Sequence, residues 1–135
     1  MVRLSKSEAR ALGLAPKASK YNNEKPTYYD KDLKELLTFD SIREYEYYLI
    51  LKDRQKRGEI YDLTRQEPIE IQPAFIDDRG VKYQAIIYIA DFTYKETAFD
   101  GNFIKHYIDV KGFKTDVYKL KKKLLAYSGF YIEEV

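Results

Sequence analysis

The chain has no cysteine, one histidine and no long apolar run, and each shortage removes a class of chemistry. Without cysteine there is no disulfide and no thiolate metal site, an arrangement suited to a reducing compartment. With a single histidine, any metal site must be built from oxygen ligands, which favours magnesium or manganese over zinc. No stretch approaches the roughly 20 apolar residues of a spanning helix, and no signal peptide opens the chain. The sequence therefore reads as soluble and cytoplasmic, without a membrane partner. The net charge of +2 is too small to identify a nucleic-acid partner by itself.

What is present fits one globular domain. The 135 residues are 44% hydrophobic and 34% charged, a balance suited to a real core and not to disorder. Fourteen tyrosines are many for this length. They can stack on bases or build a core with wet edges.

Residues 1–37 read as a basic, partly flexible arm. Ser5-Lys6-Ser7-Glu8 has capping-box spacing for a short helix ended by Gly13, after which Pro16, Asn22, Asn23 and Pro26 break regular structure. Lys17 and Lys20 belong to a run of basic residues that either tracks DNA phosphates or is simply a solvated terminus.

From 38 to 135 the pattern is that of a folded domain. Phe39-Asp40-Ser41 opens a helix to about Arg57, stopped by Gly58, with Ile42, Tyr45, Tyr48, Leu49 and Leu51 on an apolar arc. Glu44 falls inside that arc, as a buried carboxylate in need of a partner or as an N-terminal acid favoured by the helix dipole. Pro68 and Pro73 limit residues 61–75 to short, bent or edge strands, and Asp77-Asp78-Arg79-Gly80 is a turn. Residues 81–94 are apolar on both faces and predict a central strand, broken by Asp91 on the face of Ile87 and Ile89.

Past the Asp100-Gly101 turn, residues 103–111 predict an antiparallel partner strand. Its alternation puts Asp109 and Lys111 on one face and His106 on the other, so the histidine is structural. A second helix opens at Thr115 or Asp116 and runs to about Tyr127, with Val117, Leu120, Leu124 and Tyr127 as its buried stripe. Lys119, Lys121, Lys122 and Lys123 surround the stripe, as a solvated face or as contacts for a strand's phosphates. Lys121 is the one placed to reach inward. Phe130-Tyr131-Ile132 is the last strand.

Asp91 and Asp109 can ligate a hard divalent ion that keeps several waters, with the Val110 backbone carbonyl as a third oxygen. Lys111 can then orient a water or stabilise developing charge. Asp-x-Lys alone is a weak signal, since such a pair on an exposed strand face is more often an ordinary ion pair.

Asp91 followed by Asp109-Val110-Lys111 after a hairpin, with Glu44 on the preceding helix, resembles the PD-(D/E)XK nuclease superfamily. The strings Phe39-Asp40-Ser41 through Glu44, Leu63-x-x-Gln66, Tyr88 to Phe92, Asp109 to Gly112 and Leu120-Lys121 resemble a group of small phage-encoded endonucleases within it. Ala90 stands where the motif has its name-giving proline. The resemblance implies an α/β fold: a restriction-endonuclease-like core, with a mixed central sheet flanked by helices in the order α-β-β-β-α-β. It implies that Asp91 and Asp109 are metal ligands, Lys111 the catalytic lysine and Glu44 the residue completing the acidic cluster. Gln66 and Lys121 would support them, and Lys119, Lys122 and Lys123 would join Lys17 and Lys20 on DNA. The implied reaction is Mg2+-dependent hydrolysis of a DNA phosphodiester by activated water, with Mn2+ substituting, in the host cytoplasm if phage-encoded. Three other readings remain open: a homodimeric resolvase of branched DNA or Holliday junctions, a nucleic-acid-binding module without catalysis, and a structural or interaction domain with no nucleic-acid role.

Overall fold

The computed structural model describes residues 25–135. The expected capping box, short helix and basic residues Lys17 and Lys20 lie outside the described residues. The chain divides into two compact units within the helix Ile42–Lys56, one ending at Tyr45 and the other comprising Glu46–Val135.

In the first unit, β1 (Thr27–Asp30) and β2 (Glu35–Thr38) pair antiparallel. This hairpin occupies part of the stretch expected to be an irregular arm. Its turn is organised by a buried acid: the Asp30 carboxylate accepts the N–H groups of Asp32 and Leu33 at 2.9 and 3.0 Å. Such an Asx turn replaces backbone pairing and holds Lys34 at a φ of 56°. The Phe39 ring is fully buried, edge-on to Tyr45 with the ring centroids 5.5 Å apart.

Helix α1 (Ile42–Lys56) begins where the capping signal predicts, the Ser41 hydroxyl accepting the Glu44 N–H at 3.1 Å. It ends at Gly58, whose φ of 78° suits a residue without a side chain. The buried line of this helix is Glu44, Tyr48 and Leu51, while Ile42 is exposed. Glu44 is only 4% exposed, as its place in the arc implies.

The second unit is built on a four-stranded sheet of order β3-β6-β7-β8, from β3 (Tyr61–Gln72), β6 (Ile86–Thr97), β7 (Phe103–Asp109) and β8 (Ile132–Glu134). The first two pairings are antiparallel and β7 with β8 is parallel, so the sheet is mixed and the fold is α/β. Helix α2 (Asp116–Tyr127) makes the crossover that a parallel pair requires. A small hairpin, β4 (Phe75–Ile76) with β5 (Lys82–Tyr83), carries the expected Asp77 turn. Among the described residues no helix is long and apolar enough to cross a membrane.

Three local expectations are corrected. β3 has the expected edge position, where the missing N–H of Pro68 costs little, but it is one strand of 12 residues and not short. β6 is central, yet its first half is covered on one side only, leaving Ile87 and Ile89 exposed. The largest correction concerns α2. Val117, Leu120 and Tyr127 are 63%, 57% and 93% exposed, and the residues that pack inward are Tyr118 and Leu125, the latter 1% exposed. Tyr118 and Leu125 join Ile69, Tyr88, Ala90 and Ile132 in one apolar cluster. Leu125→Ala is therefore expected to destabilise the protein by about 2–5 kcal/mol and Leu120→Ala by less than about 0.5. Urea unfolding of the two variants checks this, and equal losses would restore the original stripe.

Candidate active site

Two strands of the sheet run out of regular pairing at the same level, and both acids sit there. The β3–β6 ladder passes from Arg65 opposite Phe92 to Glu67 opposite Ala90, skipping the rung that Gln66 and Asp91 would form. Gln66 has a φ of 51°, in the left-handed region a glutamine seldom adopts. Two residues apart in a regular strand, Ala90 and Phe92 would share a face. Instead Ala90 packs with Tyr118 and Leu125 of α2, whereas Phe92 lies 6.0 Å from the rings of Tyr47 and Tyr48 on α1. The alternation is broken at Asp91, so the expectation that it shares a face with Ile87 and Ile89 does not carry through this position.

On the other side of β6, the ladder to β7 closes at Phe92 opposite Ile108. The next rung would join Asp91 and Asp109. There the Asp91 side chain takes over: its Oδ2 accepts the Val110 N–H at 2.8 Å. The two carboxylates are thereby held on neighbouring strands, one tied to the residue that follows the other.

Asp109 is 2% exposed, and a carboxylate so buried needs donors. Its Oδ2 accepts the Tyr88 hydroxyl and lies 3.3 Å from Lys111 Nζ. The same ammonium is 4.3 Å from the centroid of the Tyr118 ring, a cation–π contact. The backbone is fixed as well. Val135 donates its N–H to the Asp109 carbonyl at 3.0 Å and accepts the Lys111 N–H at 3.4 Å. Val135, the residue that follows the parallel strand β8, thus clamps the chain on both sides of Val110.

Tyr118 continues the network. Its hydroxyl donates to Glu134 Oε2 at 2.8 Å, and Glu134 Oε1 lies 3.1 Å from Lys114 Nζ and 3.0 Å from Lys122 Nζ. Burial raises the pKa of both phenols above the ordinary tyrosine value, reinforced by the carboxylate each one serves. Tyr88 and Tyr118 therefore remain hydrogen-bond donors at any working pH. The Tyr118 hydroxyl, then Lys122 and Lys114, hold the Glu134 carboxyl down at about 2.

The remaining expected residues separate. Gln66 is exposed on β3 at the missing rung opposite Asp91. Lys121 donates to the Ile87 carbonyl at 2.9 Å, an exposed hydrogen bond next to Tyr88 in the chain. Lys122 is engaged by Glu134, while Lys119 and Lys123 are exposed. Glu44 belongs to the first unit. His106 stacks on Tyr94 at 4.8 Å and bonds Glu133 and Glu96 at 2.7 and 2.9 Å, a structural role. Tyr88, Tyr118 and Glu134 were not singled out from the sequence; the available signal was a tyrosine in a run of isoleucines and another in a run of lysines.

Among the described residues, no group of three or more His, Cys, Asp or Glu side chains gathers into a metal cage. Two carboxylates with a neighbouring carbonyl nevertheless fit Mg2+, which keeps several of its waters and commonly uses one or two carboxylates.

A family model described as "Protein of unknown function (DUF1064)" matches residues 18–134. The chain belongs to the DUF1064 family. The match takes in every strand and helix from β1 to β8, and with them Asp91, Asp109, Lys111 and Glu134 of this DUF1064 chain. No curated protein and no solved structure matches it.

The low pKa of Glu134 has a consequence for stability. Its folded value of about 2 lies below the ordinary 4.5. A depressed carboxyl stabilises the fold fully above the unfolded pKa, and that contribution fades as pH falls towards the folded one. Wild type should therefore exceed Glu134→Gln in urea stability at about pH 6, with the gap closing as pH drops from about 4.5 towards 2. A gap that stays constant down to acid pH would remove the ion pairs as its cause.

Proposed function

We propose that this protein is a metal-dependent DNA endonuclease with a restriction-endonuclease-like core. The observation that carries the reading is the juxtaposition of Asp91 and Asp109 where β6 and β7 leave their ladder, with Lys111 Nζ 3.3 Å from Asp109. The order α1, β3, β6, β7, α2, β8, with two antiparallel pairings followed by a parallel one, supports the core that the sequence resemblance implies.

Asp91, Asp109 and the Val110 carbonyl would hold the divalent ion. When bound, such an ion acidifies water and screens the charge of a phosphodiester. The protein's own groups do the rest. Tyr88 and the β8 clamp fix the position of Asp109, so little reorganisation is required when substrate arrives. Lys111, supported by Asp109 and by the Tyr118 ring, places a positive charge beside the carboxylates, where it can orient an attacking water and stabilise charge developing on phosphate.

The test uses purified full-length protein, Mg2+ or Mn2+, and labelled linear duplex, single-stranded, flap and four-way DNA. Cleavage of at least one substrate, abolished by EDTA, is the expected result. Intact substrates throughout, with either ion, would overturn the proposal. The pattern among substrates separates a general endonuclease from a resolvase of branched DNA.

A further inference from the structure

Beside the candidate active site, α2 and β8 enclose an open groove of about 410 Å³. Lys114, Tyr118, Lys119, Lys122, Lys123 and Glu134 line it. Four ammonium groups face a single carboxylate, a surplus of positive charge unusual for a cleft that only needs to be soluble. The carboxylate is held as an incoming oxyanion would be: the Tyr118 hydroxyl on one oxygen, Lys114 and Lys122 on the other, all within 3.1 Å. Lys119 and Lys123 are exposed and make no ion pair among the described residues.

The groove also has a direction. Tyr118 belongs to both sites, its ring against the Lys111 ammonium at 4.3 Å and its hydroxyl in the groove. An extended polyanion running past Lys111 would enter the groove over Tyr118. A lone metabolite phosphate needs no such continuity, whereas a strand carrying a phosphate on every nucleotide does.

We propose that this groove binds a backbone phosphate of the DNA strand beside the one being cut, and that Glu134 is an internal placeholder which that phosphate displaces from Lys114 and Lys122. The assignment rests on the nuclease reading for its substrate. A phosphodiester presents two charged oxygens, as Glu134 does, but it also engages Lys119 and Lys123, which Glu134 does not pair with, so exchange of partners favours the bound strand. Glu134 meanwhile keeps two lysines in place before DNA arrives and weakens the binding of stray anions.

The experiment measures binding of a fluorescent single-stranded oligonucleotide by anisotropy, in EDTA and over a salt series, so that no cleavage is needed. Glu134→Gln should bind roughly fivefold more tightly than wild type, with a salt slope steeper by about one. Lys114→Ala and Lys122→Ala should bind several-fold more weakly, with slopes shallower by about one. Glu133→Gln removes the same charge one residue away but on the His106 side, and should stay near wild type. Equal effects of Glu134→Gln and Glu133→Gln, or no loss from the lysine variants, would overturn the proposal. Inorganic phosphate competing as effectively as the oligonucleotide would overturn the assignment to a strand. These outcomes are independent of cleavage. The expected binding pattern with no cleavage of any DNA would sink the nuclease reading alone, and cleavage without the pattern would sink the groove alone.

Discussion

Asp109→Asn is expected to lower DNA cleavage by about 10³-fold, equivalent to roughly 4 kcal/mol of transition-state stabilisation. The substitution is nearly isosteric, and the amide oxygen can still accept the Tyr88 hydroxyl, so the strand end and the β8 clamp should survive. What disappears is the negative charge that holds Lys111 and that would, on the proposed reading, hold a divalent ion. Two readouts follow. Cleavage should be lost, and Mn2+ affinity measured by calorimetry should fall at least about tenfold, in the range seen when metal sites lose a supporting interaction. Far-UV circular dichroism should be unchanged. A variant that keeps its fold and cleaves within about threefold of wild type would remove Asp109 from the chemistry. Asp91→Asn makes a useful partner, because Asp91 also accepts the Val110 N–H. An amide there can still accept that hydrogen bond through its oxygen, so any loss again reports on charge and not on the local backbone.

Much of this site was legible because its parts are close in sequence. Asp109 and Lys111 are two residues apart at a strand end, and alternation alone brings them to one side. The antiparallel hairpin between β6 and β7 was signalled by Asp100-Gly101, and it brings Asp91 to the level of Asp109. The same rule removed His106, which stacks on Tyr94 as a structural residue.

The misread parts are those where two periodic patterns competed. On α2, Val117, Leu120, Leu124 and Tyr127 form an apolar stripe as regular as that of Tyr118 and Leu125. Hydropathy favoured the first, because the second stripe contains Lys121 and Lys122. The lysines are tolerated there because their aliphatic stems can lie against apolar surface while the ammonium groups find partners at its rim, in the Ile87 carbonyl and in Glu134. No periodicity count credits a lysine for such a partner. The β1–β2 hairpin was hidden differently: its turn depends on one buried aspartate, and Asp30 looks like any other acid in the sequence.

The break in alternation at Asp91 also follows from interactions distant in sequence. It requires Gln66 on β3 to take a left-handed conformation opposite, and nothing in the string Tyr88 to Phe92 announces it. Left-handed backbone in a glutamine costs about 1–3 kcal/mol and persists only where the surroundings enforce it. Here the return is that Ala90 and Phe92 serve two different helices, while the acid between them turns to β7. Gln66 thus has a role to which its polar side chain need not contribute, which is a different kind of support from the one the family resemblance implies.

Lys111→Ala is expected to lower cleavage by about 10²- to 10³-fold while leaving Mn2+ affinity within about threefold of wild type. The contrast with Asp109→Asn is the informative part. Lys111 is not a candidate ligand, and its ammonium repels a nearby cation, so its removal should not weaken the metal. Its contribution is a positive charge at the carboxylate pair, held from one side by Asp109 and from the other by the Tyr118 ring. Arginine should rescue poorly, since it keeps the ring and carboxylate contacts but replaces a compact ammonium by a larger, delocalised guanidinium that places its charge differently at the attacking water. Tyr118→Phe separates the two functions of that tyrosine: it keeps the ring under Lys111 and removes the hydroxyl from Glu134. Cleavage by Tyr118→Phe should therefore stay closer to wild type than that by Lys111→Ala. If Lys111→Ala instead loses metal affinity and cleavage together, the lysine acts only by positioning Asp109, and the charge that meets the phosphate must come from elsewhere in the site.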